Sequence, residues 1–296
     1  MLWNFVQIAV TYSCFDCTIR FDRLKRVKIL NGKELSEYIT ERQARQIRTL
    51  RQAHKIIPKL AIIQTIDSPV IDTYVRLKKS YGEDILAEVE VHKIEQAKLS
   101  ETIQALNEDT SVHGIIIQLP LADTIQTDEA VNAVVPEKDV DGLGDNATLT
   151  PATAMAIDWL LAGYNVELRD RIIAIVGNGR LVGAPLAKLW ATAGLNVTVY
   201  DDTTEDLAGE IRKAQVIVTA TGVPGLITSQ MVQPGATIVD AGTASENGKI
   251  VGDVADDVRE RSDLILTPQR GGVGPLTVTA LFDNLIQAAR ATVNEV

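Results

Sequence analysis

The stretch "AIVGNGRLVGAP", Ala174 to Pro185, runs from an apolar strand through Gly177, Gly179 and Gly183 into a helix. Strand, glycine turn and helix in that order open a doubly wound, Rossmann-type α/β unit. Glycines let the backbone approach a pyrophosphate, and the first N–H groups and dipole of the helix favour its charge. The spacing, Gly177-x-Gly179-x-x-x-Gly183, is one residue longer than the usual fingerprint. Taken alone, the string reads equally well as a turn that packs a helix on a strand. The next strand adds weight. "VTVYDD" closes on Asp201 and Asp202, and Asp201 stands 24 positions after Gly177, near the ~20-residue spacing at which an acidic side chain meets the adenosine ribose. A carboxylate there accepts from the ribose hydroxyls and repels the extra phosphate of NADP, so NAD is expected over NADP. Arg180, inside the loop, is the competing phosphate ligand, and capping of the following helix is the ordinary alternative role for the two aspartates.

Outward from this loop the pattern is regular. Strands are expected at 171–177, 196–202, 214–221, 236–242 and 263–269, with helices at 181–194 and 205–214 and a last helix at 275–293. Upstream, 32–53 reads as a long amphipathic helix and 59–65 as a buried strand. Residues 68–83 read as a helix with Ser68 as N-cap and Pro69 at its first position. A strand at 84–94, a helix at 95–109 and a strand at 112–121 follow, then a loop at 135–151 and a helix at 151–165 between two lobes. Repeated strand–helix alternation predicts two parallel α/β lobes with a cleft between them.

The bulk numbers narrow the function. The chain has 296 residues, 46% of them hydrophobic and 23% charged, with a net charge of −10. That balance argues against nucleic acid as a partner, which calls for a Lys/Arg surplus. No apolar run reaches the ~20 residues of a spanning helix, so no membrane association is expected, and the chain reads as cytoplasmic. The only cysteines, Cys14 and Cys17, form no disulfide framework and lack the second pair of a zinc site. His54, His92 and His113 are far apart, so no metal is expected. Residues 1–27 read as a loosely ordered extension or an upstream start rather than a leader peptide, since they lack a basic n-region and a small-residue cleavage site.

Four further stretches stand out. "TYVRLK" puts Tyr74 and Lys78 on one face of a helix. "IIIQLPL" puts Gln118 and Pro120 at the carboxyl end of a buried strand, where α/β ligand sites gather. "EKDVDG" puts Asp139 and Asp141 in a loop, and "GGVGPLT" is a glycine turn entering a helix. Singly these read as a solvated lysine, a packing aromatic, a strand-end amide and ordinary turn chemistry. Together, with "LNGKELS", "IVGNGRLVGAP", "ATGVPG", "VDAG", "GKIVGDV" and "LTPQRGGVGPLTVTAL", they give the chain from about Lys28 onward a strong resemblance. It resembles the methylenetetrahydrofolate dehydrogenase/methenyltetrahydrofolate cyclohydrolase family.

The resemblance implies oxidation of 5,10-methylenetetrahydrofolate with NAD(P), then hydrolysis of the methenyl form to 10-formyltetrahydrofolate, in one-carbon metabolism. It implies that Lys78 is the catalytic lysine, with Gln118 beside it and Asp141 holding the pterin. Tyr74 would stack on the aminobenzoate ring, with Pro120 near the substrate. Gly271, Gly272, Val273, Gly274 and Pro275 would form the turn over the substrate. Gly177, Asn178, Gly179 and Gly183 would cradle the cofactor phosphates, with Asp201 and Asp202 on the ribose and Thr243 on the nicotinamide side. It further implies a folate-binding lobe at 28–148 completed by the returning helix 276–296, a dinucleotide lobe at 149–275, and a homodimer. The chain departs from the family pattern at Val70 and Ile71 after Pro69, at Asn178 and Gly179, at the short segment 143–150, and at Arg270. Two narrower readings of the same residues are a dehydrogenase with weak hydrolase activity and a paralogue that binds without turnover; intact Lys78, Gln118 and Asp141 argue for turnover.

Overall fold

A computed structural model describes residues 29–246 and 249–295. The extension expected at 1–27, with Cys14 and Cys17, lies outside the described residues. Helix α1 (Gly32–His54) starts where Asn31 accepts from the Glu34 N–H at 3.2 Å and ends on Lys55 in the left-handed region. Its apolar stripe, with Ile39, Ala44, Ile47 and Leu50, turns inward. Strand β1 (Lys59–Gln64) is buried from Leu60 onward because it is central, flanked by β2 (Glu88–Lys93) and β3 (Gly114–Ile117), all parallel. At the edge, β2 alternates exposed Glu88 and Glu90 with inward Val89 and Val91. Helices α2 (Pro69–Ile85), α3 (Leu99–Glu108) and α4 (Thr127–Ala133) complete this layer, and α5 (Ala152–Gly163) leads into the second sheet.

That sheet runs β4 (Ile173–Val176), β5 (Val197–Tyr200), β6 (Val216–Thr219), β7 (Thr237–Asp240) and β10 (Ile265–Leu266) in the spatial order β10-β7-β6-β4-β5, all parallel. Helices α6 (Gly183–Thr192) and α7 (Leu207–Ile211) lie between its first three strands in sequence. A hairpin of β8 (Ala244–Glu246) and β9 (Lys249–Val251), then α8 (Asp256–Arg259), separate β7 from β10. The order reverses at β4, which has β5 on one side and β6 on the other. Open α/β sheets bind ligands at the carboxyl edge of such a switch point.

Helix α9 (Val273–Ala291) packs on α1, α2 and α5 and touches β1 and β3, so the last helix closes the first sheet. Phe282 is fully buried, and its ring centroid lies 5.1 Å from that of Tyr81. A polar seam crosses this core: buried Gln43 donates to the Thr279 carbonyl at 2.9 Å and accepts from the Tyr81 hydroxyl at 2.7 Å. Trp190 on α6 donates to Asp158 on α5 at 2.9 Å and couples the second sheet to the connecting helix. Among the described residues no helix is long and apolar enough to cross a membrane.

Several boundaries differ from the sequence expectation. The strand expected from Asp84 starts at Glu88, because fully buried Ile85 extends the apolar face of α2 before Leu86 (φ 70°) turns the chain. The strand expected to reach Leu121 ends at Ile117, and a cis Leu119–Pro120 bond follows. The strand expected at 263–269 keeps only Ile265 and Leu266 in the ladder. Helix α4, the β8–β9 hairpin and α8 were not expected.

Candidate active site

The first sheet delivers the polar groups. Gln118 is the first residue beyond β3, and Lys78 lies on α2, one turn after half-buried Tyr74. The Lys78 ammonium donates to Gln118 Oε1 at 2.8 Å, and Gln118 Nε2 donates to the Leu119 carbonyl at 3.2 Å. Burial holds the Lys78 ammonium below its ordinary pKa, while the nearby Asp141 carboxylate pulls the other way. Burial likewise pushes Asp141 up, opposed by Lys78 and reinforced by Asp139. Lysine and aspartate, both half-buried, therefore sit within Coulomb reach of each other, each moved toward its neutral form.

The loop carrying Asp141 is fixed from three sides. Asp139 is 5% exposed and accepts from the N–H groups of Gly142 at 2.9 Å and Gly144 at 2.8 Å. Lys138 donates to the carbonyls of Leu106, Asn107 and Asp109 at 3.0, 2.8 and 2.7 Å, closing the end of α3. Asn284 of α9, 1% exposed, donates to the carbonyls of Val140 and Thr150, both at 2.9 Å. Sequence reasoning gave none of these three residues a role. One signal for Asn284 was available: a lone amide among Leu281, Phe282, Leu285 and Ile286.

The glycine turn 271–274 is seated on the start of α1. The Lys33 N–H donates to the Gly271 carbonyl at 2.9 Å, and a Cβ on Gly32 would come within 1.9 Å of the Gly272 oxygen. Gly271 has φ +80°. Gly272 and Val273 are buried, Pro275 is half-buried, and Gly274 and neighbouring Arg270 are exposed. Pro120 is exposed two residues past Gln118. Lys78, Gln118 and Asp141 thus form one cluster, Tyr74 and Pro120 flank it, and no hydrogen bond among the described residues joins the 271–275 turn to it.

The second sheet offers a cradle at β4. Gly177 has φ +100°, its N–H donates to the Tyr200 carbonyl at 2.7 Å, and a Cβ there would lie 2.6 Å from the Ala220 oxygen. A Cβ on Gly183 would lie 1.8 Å from the Gly177 oxygen, so the start of α6 needs a glycine to pack against the loop. Asn178 and Gly179 are exposed, and a Cβ on Gly179 would meet nothing within 4 Å. Helix α6 begins without a side-chain cap. An open cradle over an uncapped helix start suits a pyrophosphate. At the end of β5, Asp201 accepts from the Thr203 N–H at 3.0 Å and hydroxyl at 2.6 Å, which hold its carboxyl below the usual range. Asp201 therefore does cap a turn, while Asp206 caps α7 and Asp202 is exposed. Thr243 is exposed just beyond β7. Arg180 pairs with Asp128 of α4, across from the loop.

A polar cluster on one parallel lobe and a glycine cradle at the switch point of another define a two-lobed α/β enzyme that uses a nicotinamide dinucleotide. The chain belongs to the tetrahydrofolate dehydrogenase/cyclohydrolase family: residues 30–141 match its catalytic domain and 151–293 its NAD(P)-binding domain. The bifunctional protein FolD of Francisella philomiragia is 36% identical over 276 residues, covering 88% of this chain and 98% of its own. The crystal structure of the bifunctional FolD methylenetetrahydrofolate dehydrogenase/cyclohydrolase of Campylobacter jejuni superposes with a TM-score of 0.83 at 34% identity, covering 89% of this chain and 99% of that one. The Trypanosoma brucei methylenetetrahydrofolate dehydrogenase-cyclohydrolase, solved with NADP and an inhibitor, gives 0.84 at 29% identity over 91% of this chain and 99% of that one.

Proposed function

We propose that Lys78, Gln118 and Asp141 form one centre that serves both reactions of the family and that its dinucleotide is NAD. The chain is a methylenetetrahydrofolate dehydrogenase and methenyltetrahydrofolate cyclohydrolase of one-carbon metabolism. The observation that carries the single centre is the 2.8 Å bond from Lys78 to Gln118 beside Asp141. Loss of a hydride from the methylene bridge leaves a delocalised cation on the folate, so the donor carbon needs positioning more than a strong base. NAD(P), when bound, supplies the hydride acceptor. Hydrolysis then needs a water beside that cation. Burial lowers the pKa of Lys78, so its neutral amine is within reach to take the proton. Gln118 orients that amine without adding charge, and Asp141 accepts two pterin N–H donors as a selective, charge-assisted pair. Tyr74 stacks on the aminobenzoate ring, Pro120 borders it, and the turn from Gly271 through Gly272, Val273 and Gly274 to Pro275 covers the substrate.

The dinucleotide would lie on Gly177, Asn178, Gly179 and Gly183, with Thr243 toward the nicotinamide. Asp201, ionised and held by Thr203, and exposed Asp202 support NAD, because a second phosphate there would meet two carboxylates. The nearest basic side chain of the loop, Arg180, is engaged by Asp128. The same reading takes the chain as a cytoplasmic homodimer, with the folate lobe at 28–148 and 276–296 and the dinucleotide lobe at 149–275.

The test is turnover of methylenetetrahydrofolate with NAD and with NADP, followed by absorbance of reduced cofactor and methenyl product. NAD is expected to give at least tenfold higher kcat/KM, and Asp201→Ser to narrow the gap. A preference for NADP overturns the NAD assignment and moves the role to Arg180. Equal hydrolysis by Lys78→Ala and the unaltered enzyme overturns the role given to Lys78.

A further inference from the structure

Between the hairpin and α8 lies a buried aspartate with no part in the chemistry above. Asp253 is 0% exposed. Its Oδ2 accepts from the Thr219 hydroxyl and the Thr221 N–H, both at 2.7 Å. Thr219 ends β6, and Thr221 stands in the turn that follows. The Asp253 N–H donates to Oδ1 of Asp240, the last residue of β7, at 3.0 Å. Asp240 also accepts from Gly242, Val254 and Arg259 at 3.2, 3.2 and 2.6 Å. The two carboxylates sit on each other's glycines. A Cβ on Gly242 would come within 2.0 Å of Asp253, and one on Gly252 within 2.1 Å of Asp240. The second oxygen of Asp253, Oδ1, is buried without a hydrogen-bond partner among the described residues.

An unpaired buried carboxylate oxygen is costly. An apolar residue there would orphan the Thr219 hydroxyl and the Thr221 N–H, so the two donors hold the carboxylate in place at the expense of Oδ1. What the carboxylate does achieve is geometric. The Asp253 carboxylate holds the turn after β6 while the Asp253 backbone N–H holds the Asp240 carboxylate at the turn after β7, and both turns border the carboxyl edge on the β6 side of the switch point. The glycine cradle and Asp201 mark the β4–β5 side as the phosphate and adenosine side, so the nicotinamide half falls on the β6–β7 side.

We propose that Asp253 is a positioning residue for hydride transfer, setting the turns 219–222 and 240–243 that flank the nicotinamide. The proposal rests on the dinucleotide lying along the β4 cradle. Asp253 shares no hydrogen bond with the Lys78 cluster among the described residues, so the proposal assigns it to one of the two activities only. A displacement of about 1 Å at a reacting centre costs on the order of 100-fold.

The experiment uses the full chain and measures both activities, melting temperature, and the isotope effect with substrate deuterated at the methylene bridge. Asp253→Ala is expected to lower dehydrogenase kcat about 10–100-fold and to raise the isotope effect, with cyclohydrolase within threefold of the unaltered enzyme. Asp253→Asn keeps one oxygen for both donors and is expected to recover part of the loss. Thr219→Val, which removes one donor, is expected to give a smaller loss of the same kind and keeps the test open if Asp253→Ala does not fold. A parallel fall of both activities, or an unchanged dehydrogenase in the folded variants, overturns the proposal. Gly179→Asp separates it from the cofactor placement. If that change abolishes cofactor binding while the Asp253 and Thr219 variants keep full dehydrogenase activity, the proposal alone is wrong. If Gly179→Asp leaves binding intact, the placement is wrong and the proposal falls with it.

Discussion

Replacing Asp139 by Asn tests whether the loop that presents Asp141 is a distinct energetic unit. Asp139 holds the N–H groups of Gly142 and Gly144 at 2.9 and 2.8 Å with one buried carboxylate. Hydrogen bonds to a charged acceptor contribute about 1.5–3 kcal/mol each. A carboxamide retains one acceptor and turns an N–H₂ toward the other donor, so roughly one such bond is lost, about 2–3 kcal/mol. At 1.36 kcal/mol per factor of ten, that corresponds to a fall of about 30–150-fold in the ratio of ordered to disordered loop. With Asp141 proposed to hold the pterin in both reactions, kcat/KM for methylenetetrahydrofolate and for the methenyl form should fall by the same factor. The cradle at β4 shares no hydrogen bond with this loop, so the dissociation constant for NAD should stay within twofold. Reduced cofactor and loss of methenyl absorbance give the two activities, and a fluorescence titration gives the NAD affinity. A fall below threefold in both activities, or a loss of NAD affinity in step with them, would falsify the assignment of Asp139 as the anchor of a folate-side loop.

Three further outcomes follow from the geometry. Hydrolysis should rise with pH through the depressed pKa of Lys78, because burial favours the neutral amine below the ordinary 10.5, and Lys78→Met should remove that rising limb from the pH–rate profile. Gly179→Asp should fold normally, since a Cβ there meets nothing within 4 Å, yet lose about 30–150-fold in NAD affinity by setting a carboxylate against the phosphates, measured by calorimetric titration. Gly32→Ala gives a test of sign. In an open first turn the change would stabilise by about 0.5–1 kcal/mol. Here a Cβ comes within 1.9 Å of the Gly272 oxygen, so it should destabilise by about 1–3 kcal/mol and raise KM for folate; a higher melting temperature would sink this account.

Much of the fold could be read in the chain because β3, β4 and β6 are short, fully buried runs and β1 and β7 are buried at all but one residue. "IAIV" and "VIVT" have no plausible alternative between helices and glycine turns. The pieces that escaped lack such a signal. Helix α4, "TDEAVNA", buries only Ala130 and Val131, α8 is four residues long, and the hairpin strands are three residues each. The site divides in the same way. The cradle is a local object, so its glycines announce themselves. Lys78 is a lysine on a helix, and only resemblance separated it from a solvated one. In "KDVDG" neither helical nor strand periodicity applies, so nothing local says that Asp139 turns inward to Gly142 and Gly144 while Asp141 meets Lys78. Asn284 and Asp253 act on segments far away in the sequence, and no spacing rule reports such pairs.

The packing of α9 sets an order on the birth of the enzyme. Chains emerge from the ribosome N-terminus first, and domains tend to fold as they appear. The first sheet leaves the ribosome early, yet the cover over β1 and β3 and the amide that holds Val140 and Thr150 arrive with the last helix. The five-stranded sheet needs nothing beyond Leu266 to complete its ladder. Folding during synthesis would therefore complete the five-stranded sheet before the first sheet receives its cover, in reverse of their order along the chain. Until α9 has formed, β1 and β3 leave toward solvent the apolar surface that it covers, the kind of surface through which a partly folded chain aggregates.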